Sequence, residues 1–258
     1  MSGGRKKLVE VRNLKMHFPI VGGLLRRQVG AVKAVDDVTF DIYEGETLGV
    51  VGESGCGKST CGRAVLRLYD ITAGSIKIDG TEIGKMSQTQ LRKLRPTMQM
   101  VFQDPQACLN PRMTVAAIIA EPLEEHGKLS GKDRLNRVYE LMDAVGLNRN
   151  FANRYPHAFS GGQRQRIGIA RALYRDPSVL LFDEATSALD NATEHAVMEA
   201  IYRLSSEKTI ILVAHRLSTV RACNRIYVLS EGKVVEEGSW EELARKGAHF
   251  KRLAMGQT

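Results

Sequence analysis

The sequence lacks the long apolar runs of a membrane span, the paired cysteines of a disulfide scaffold and the charge blocks of a disordered tail. Its longest apolar stretches, Ser178–Phe182 and Thr209–Ala214, are strand-sized, far short of the roughly 20 residues that cross a bilayer. Cys56, Cys61, Cys108 and Cys223 stand apart, with no CxxC pair and no adjacent His cluster, so neither a zinc site nor a disulfide framework has support and the thiols read as reduced. No internal repeat or low-complexity segment is visible. Arg5, Lys6 and Lys7 lead into strand-like alternation instead of an apolar signal core, so no secretory signal is expected and a cytoplasmic location is. The formal charge is +8, but it is spread along the chain. Without a basic tract it reads as a solvated surface with some attraction for nucleotide or an anionic membrane, and no nucleic-acid partner is expected.

What is present is ordinary globular material: 258 residues, 43% hydrophobic and 26% charged, enough for one large α/β domain or two small ones. Leu8–Phe18 and Lys33–Tyr43 alternate at period two and predict antiparallel strands flanking a connection from Pro19 to Gly30. Thr47–Val51 is a compact β-branched run that enters a Gly-rich loop and then a helix predicted over Lys58 to Tyr69. Ser75–Asp79 and Met98–Phe102 read as short strands. From Thr114 to about Gly146 the period becomes helical, with Ser130–x–x–Asp133 opening one helix. The runs at Ser178–Asp183 and Thr209–Ala214 suit a parallel sheet covered on both faces. Asn191–x–x–Glu194 and Ser239–x–x–Glu242 predict capped helices beyond them. The β-α-β alternation points to a doubly wound core.

Gly52-Glu53-Ser54-Gly55-Cys56-Gly57-Lys58-Ser59 matches the G-x4-G-K-[ST] P-loop, a chance event on the order of one in a hundred, between a strand and a helix as the motif requires. The glycines let successive N–H groups face phosphate oxygens at a helix N-terminus. Lys58 reaches the β/γ phosphates and Ser59 offers a hydroxyl to Mg²⁺. At the end of a second apolar strand, Leu180-Leu181-Phe182-Asp183-Glu184 supplies two carboxylates: Asp183 for the metal and Glu184 to polarise the attacking water as general base. A Gly-rich turn and an acidic strand end are the plain structural alternatives. The pairing of the two motifs outweighs them.

Phe159-Ser160-Gly161-Gly162-Gln163-Arg164-Gln165-Arg166 opens a helix with a serine, two glycines and exposed N–H donors, a natural anion site. It resembles the signature motif of ABC ATPases. In the same order Gln103 resembles the Q-loop, Ser187-Ala188-Leu189-Asp190 the D-loop and His215 the H-loop, while Phe18 resembles the adenine-stacking aromatic. The resemblance covers essentially the whole chain. It implies a P-loop NTPase fold of RecA-like type: a parallel-sheet core over about 8–103 and 161–235 with an N-terminal antiparallel β subdomain, an α-helical subdomain over 104–160, and a C-terminal helix and tail over 236–258. It also implies that ATP and Mg²⁺ bind at Gly52 through Thr60, with Ser59, Gln103 and Asp183 toward the metal and His215 toward the γ-phosphate. Ser160, Gly161, Gly162 and Gln163 would complete the nucleotide site of a second, identical or related, ATPase subunit in a head-to-tail dimer.

Up to about Leu173, stretches such as AVDDVTFDIYEGETLGVVGESGCGKST and RYPHAFSGGQRQRIGIARAL resemble the ATPase subunits of oligopeptide/dipeptide importers. After Tyr174 the chain resembles exporter ATPase domains, with Ala185 where the importer group usually has proline. The resemblance implies an ATPase on the inner face of the cell membrane that energises permease subunits on other chains, foremost an oligopeptide importer. A detached exporter ATPase and a soluble ABC ATPase acting on nucleic acid or ribosomes are the alternatives.

Overall fold

A computed structural model describes residues 5–22, 27–104, 108–124, 131–186, 189, 191–204 and 208–256. Ser130, Ser187, Ala188 and Asp190, named above, lie outside them. The chain divides into two compact units, residues 1–94 with 209–258, and residues 95–208.

The first unit carries two sheets. Strand β1 (Lys7–Gly22) pairs antiparallel with β2 (Arg27–Tyr43), Phe18 facing Val32 and Val11 facing Phe40. On its other side β1 takes β4 (Ala73–Ile78), which in turn pairs with β5 (Thr81–Glu82). Alternation drives this sheet: Val9, Val11, Leu14, Val35, Val38 and Ile42 point inward and are almost wholly buried, as expected of antiparallel strands with one face on a core. Strand β3 (Thr47–Gly52) behaves differently, because all six residues are buried. It lies parallel to β8 (Thr209–Val213) and to β9 (Arg225–Ser230), with β10 (Lys233–Gly238) antiparallel on β9. Continuous apolar runs are what a parallel sheet covered on both faces demands.

Between these strands α1 (Lys58–Val65) follows β3 and α2 (Gln88–Leu94) follows β5. Helix α1 stops at Val65 and does not run on to Tyr69 as its sequence suggests, because Arg67 turns into the left-handed region at φ 52 and aims its buried guanidinium at the carbonyls of Tyr69, Ile83 and Met86. The chain ends in α7 (Trp240–Lys246), opened by a Ser239–Glu242 capping box, and α8 (Ala248–Met255).

In the second unit β6 (Met98–Val101) and β7 (Val179–Asp183) are parallel, Met98 facing Val179 and Val101 facing Phe182. Helices α3 (Val115–Glu124), α4 (Gly131–Ala144), α5 (Gly161–Leu173) and α6 (Asn191–Leu204) accompany them. Helix α6 begins at Asn191, and the Thr186 hydroxyl donates to the Glu194 carboxylate at 3.0 Å. No helix among the described residues is long and apolar enough to cross a membrane.

Candidate functional site

The first unit brings the P-loop and His215 to one edge. Parallel strands β3 and β8 end together, Val50 opposite Val213, and the N–H of Ala214 donates to the Val50 carbonyl at 3.0 Å. Beyond that edge β3 opens into the loop at Glu53, and exposed His215 follows β8. The carboxyl ends of parallel strands are where α/β folds place their ligands.

The loop itself is braced on three sides. Cys56 N–H donates to the Glu53 carbonyl at 3.3 Å, Gly232 N–H donates to the Cys56 carbonyl at 3.0 Å, and Asp36 N–H donates to the Gly232 carbonyl at 2.9 Å. Gly57 takes φ 102, and a Cβ there would run into the carbonyl oxygen of Ala34. Only glycine meets both conditions. Helix α1 therefore starts without a side-chain cap, and its first N–H groups lack intrahelical acceptors, as they must. The backbone N–H groups of Ser54, Gly55, Gly57, Lys58 and Ser59 are engaged by no acceptor among the described residues. That array, at a helix N-terminus, is a preformed anion cradle.

Lys58 lies folded over this cradle, only 4% exposed. Its ammonium donates to the Gly52 carbonyl at 2.9 Å and the Glu53 carbonyl at 2.8 Å, with the Cys56 sulfur at 4.0 Å. Burial pushes the Cys56 thiol up, the nearby Lys58 ammonium opposing it, and burial pushes Cys61 up to about 12. Both thiols stay protonated at neutral pH, so they pack the cradle and are poor nucleophiles. Phe18, at the far end of β1, is half-buried and meets Tyr69 edge-on, ring centres 5.8 Å apart.

The second unit brings Gln103, Asp183 and Glu184 to the carboxyl end of its own strands. Because Val101 lies opposite Phe182, Gln103 and the Asp183–Glu184 pair emerge from the same end. Asp183 is 1% exposed at the strand terminus. Glu184, half-exposed, takes φ 51, a left-handed backbone that costs a non-glycine residue on the order of 1 kcal/mol and turns its side chain off the strand's alternation. Nearby, Gln165 of α5, 1% exposed, donates to the Phe102 carbonyl at 3.3 Å, tying the helix to the segment that carries Gln103.

Helix α5 opens with a complete capping box: Gln163 N–H donates to the Ser160 hydroxyl at 3.4 Å, and Ser160 N–H donates to the Gln163 side-chain oxygen at 3.1 Å. Each uses one otherwise orphaned donor. Gly162 is there for space, since a Cβ would collide with the Cγ2 methyl of Thr193 on α6. Sequence alone missed Gln165, Thr193 and Tyr69, because each acts through a contact distant in the chain. Among the described residues no three His, Cys, Asp or Glu side chains gather into a metal centre of their own.

Comparison with known proteins gives these edges a context. The family model "ABC transporter" matches residues 35–187. The oligopeptide transport ATP-binding protein OppF of Bacillus subtilis (strain 168) is 51% identical over 250 residues, covering 95% of this chain and 79% of that protein. That span includes most of the exporter-like final third. Among solved structures, the dimeric post-hydrolysis state of the ATP-binding cassette MJ0796 bound to ADP and Pi superposes with a TM-score of 0.80 at 31% identity, covering 90% of this chain and 98% of that one. A bacterial Atm1-family ABC exporter with ATP bound gives a TM-score of 0.76 at 30% identity, covering all of this chain and 43% of that one.

Proposed function

Because this chain belongs to the ABC transporter ATP-binding family, we propose that it is the ATPase subunit of an oligopeptide importer, bound at the inner face of the membrane to permease chains and paired with a second ATPase subunit. It binds and hydrolyses ATP. The observation that carries the importer reading is the 51% identity to an oligopeptide transport ATP-binding protein over 95% of the chain, against 30% for the exporter.

Residues 52–60 take the triphosphate. The free N–H array receives phosphate oxygens, and Lys58 exchanges its carbonyl partners for the more strongly attracting β/γ phosphates. Phe18 stacks on the base. A hard divalent cation suits the remaining donors, since the Ser59 hydroxyl, the Asp183 carboxylate and the Gln103 amide oxygen are all oxygen ligands and only one is charged, as Mg²⁺ beside a nucleotide prefers. Mg²⁺ would neutralise charge on the transferring phosphoryl group. Glu184 takes a proton from the attacking water, and His215 donates to the γ-phosphate oxygens. The N-terminus of α5, with Ser160, Gly161, Gly162 and Gln163, presents its donors to the nucleotide held by the second subunit.

The test is transport. The chain is expressed with the permease subunits of an oligopeptide importer in cells deleted for their own peptide-importer ATPases, and uptake of a labelled pentapeptide is followed. ATP-dependent accumulation that disappears in Lys58→Ala is expected. A chain that fails to assemble with those permeases, or that lowers peptide retention by driving efflux, would contradict the importer reading.

A further inference from the structure

Tyr69 belongs to none of the nucleotide motifs, yet it stands between two of them. Just past the end of α1, whose first residues are Lys58 and Ser59, the chain turns back and is fastened to α1 at one end and to β1 at the other. The N–H of Leu68 donates to the Arg63 carbonyl at 2.9 Å, and the N–H of Thr72 donates to the Lys15 carbonyl at 2.8 Å. The His17 N–H donates to the Thr72 hydroxyl at 2.9 Å. Between these fastenings Tyr69 is held at both ends: Arg63 donates to its phenolic oxygen at 3.3 Å, and Arg67 donates to its carbonyl at 2.8 Å. Arg67 is almost fully buried, and its other donors bind the carbonyls of Ile83 and Met86 at 3.2 and 3.1 Å. The ring so fixed meets Phe18 at 85°, the edge-to-face arrangement that aromatic quadrupoles favour.

We infer that Tyr69 is a positioning residue for the nucleotide base: it buttresses Phe18 and ties that ring to α1, so that base platform and phosphate cradle keep a fixed offset. This rests on the reading of Phe18 as the base-stacking aromatic. A half-buried ring on a strand whose far stretch pairs, among the described residues, with β2 alone would otherwise sample several rotamers, and each ordering event would fall on the bound state. The buttress moves that ordering into the free protein.

The experiment compares two probes on the full chain in the presence of Mg²⁺: ATP, which needs both platform and cradle, and inorganic tripolyphosphate, which needs only the cradle. Tyr69→Ala should weaken ATP binding about fivefold, the scale of a lost aromatic pair, and leave tripolyphosphate binding unchanged. Tyr69→Phe should bind ATP within about twofold of the parent, because the ring contact survives. Phe18→Ala should show the same selective loss, and the double variant should add little to it. Equal weakening of both probes by Tyr69→Ala would mean a general structural role, and no weakening of ATP would mean no buttress. Either overturns the inference. If Phe18→Ala leaves ATP binding intact, the base-stacking reading itself falls; if Phe18→Ala is selective and Tyr69→Ala silent, only the buttress does.

Discussion

Replacing Gly162 by alanine puts one methyl group where the structure has no room for it. The added Cβ would overlap the Cγ2 of Thr193, whose Oγ1 would lie 3.9 Å away. Gly162 sits in the first turn of α5 and Thr193 in the first turn of α6, both backbones held by their helices, so the strain falls on the packing of one helix against the other. Overpacking of a filled contact costs about 1–3 kcal/mol, which for a chain of this length lowers Tm by roughly 2–12 °C. Thr193→Ser removes the offending methyl and keeps the hydroxyl. In a double-mutant cycle read by thermal unfolding, Gly162→Ala should be destabilising alone and largely relieved by Thr193→Ser, a coupling within the ~0.5–3 kcal/mol seen for residues in contact. ATPase activity should return with stability, since the new Cβ points at α6 while the Gly162 N–H stays where it was. A Gly162→Ala variant with unchanged Tm, or one that Thr193→Ser does not relieve, would refute the reasoning.

Glu184→Gln should slow ATP turnover by at least about a hundredfold, the usual contribution of a positioned base, while ATP binding measured by equilibrium titration stays near that of the parent. Arg225→Ala should unfold the chain readily. Glu46 is 4% exposed and held by Arg225 through contacts of 2.7, 2.9 and 3.0 Å, and stranding such a charge costs about 3–5 kcal/mol, to be read from urea midpoints. Glu236 governs the acid sensitivity of α8. Burial raises its pKa, but the N–H groups of His249, Phe250 and Ala248 prevail and hold it below the ordinary 4.5. Its contribution is therefore present above that value and lost as pH falls through the lower, folded one. Trp240 packs edge-on against Phe250 at 5.2 Å and is the sole tryptophan, so its fluorescence should report this acid step, and Glu236→Gln should remove the step.

The parts of the fold that local pattern specifies were legible in the sequence. The apolar runs at Ser178–Asp183 and Thr209–Ala214 suit covered parallel strands, and strands stand there over Val179–Asp183 and Thr209–Val213, while Ser239 with Glu242 forms the predicted capping box. Where tertiary contacts override pattern, the sequence misled. Pro19 and the glycines near it read as a connection, yet Pro19–Gly22 pair with Arg27–Ala31 in a longer hairpin. Proline is tolerated there because β4 accompanies β1 only as far as Lys15, leaving an edge beyond it. Helix α1 reads four residues longer in sequence, to Tyr69, while Arg67 ends it through carbonyls farther along the chain. The phosphate cradle is a local motif, and its spacing shows in eight consecutive residues. Gly162 against Thr193 and Tyr69 against Phe18 are pairings across the fold, with no signature in either partner's neighbourhood.

The central claim is that the cradle of one subunit and the capped start of α5 from another enclose the same triphosphate. A crystal structure of the Glu184→Gln protein grown with MgATP tests it directly. The expected result is a pair of subunits in which the Ser160 hydroxyl and the Gly162 N–H lie within hydrogen-bond reach of the γ-phosphate bound at Lys58 of the other copy. A nucleotide-loaded pair in which Ser160 and Gly162 face solvent, away from any phosphate, would contradict it.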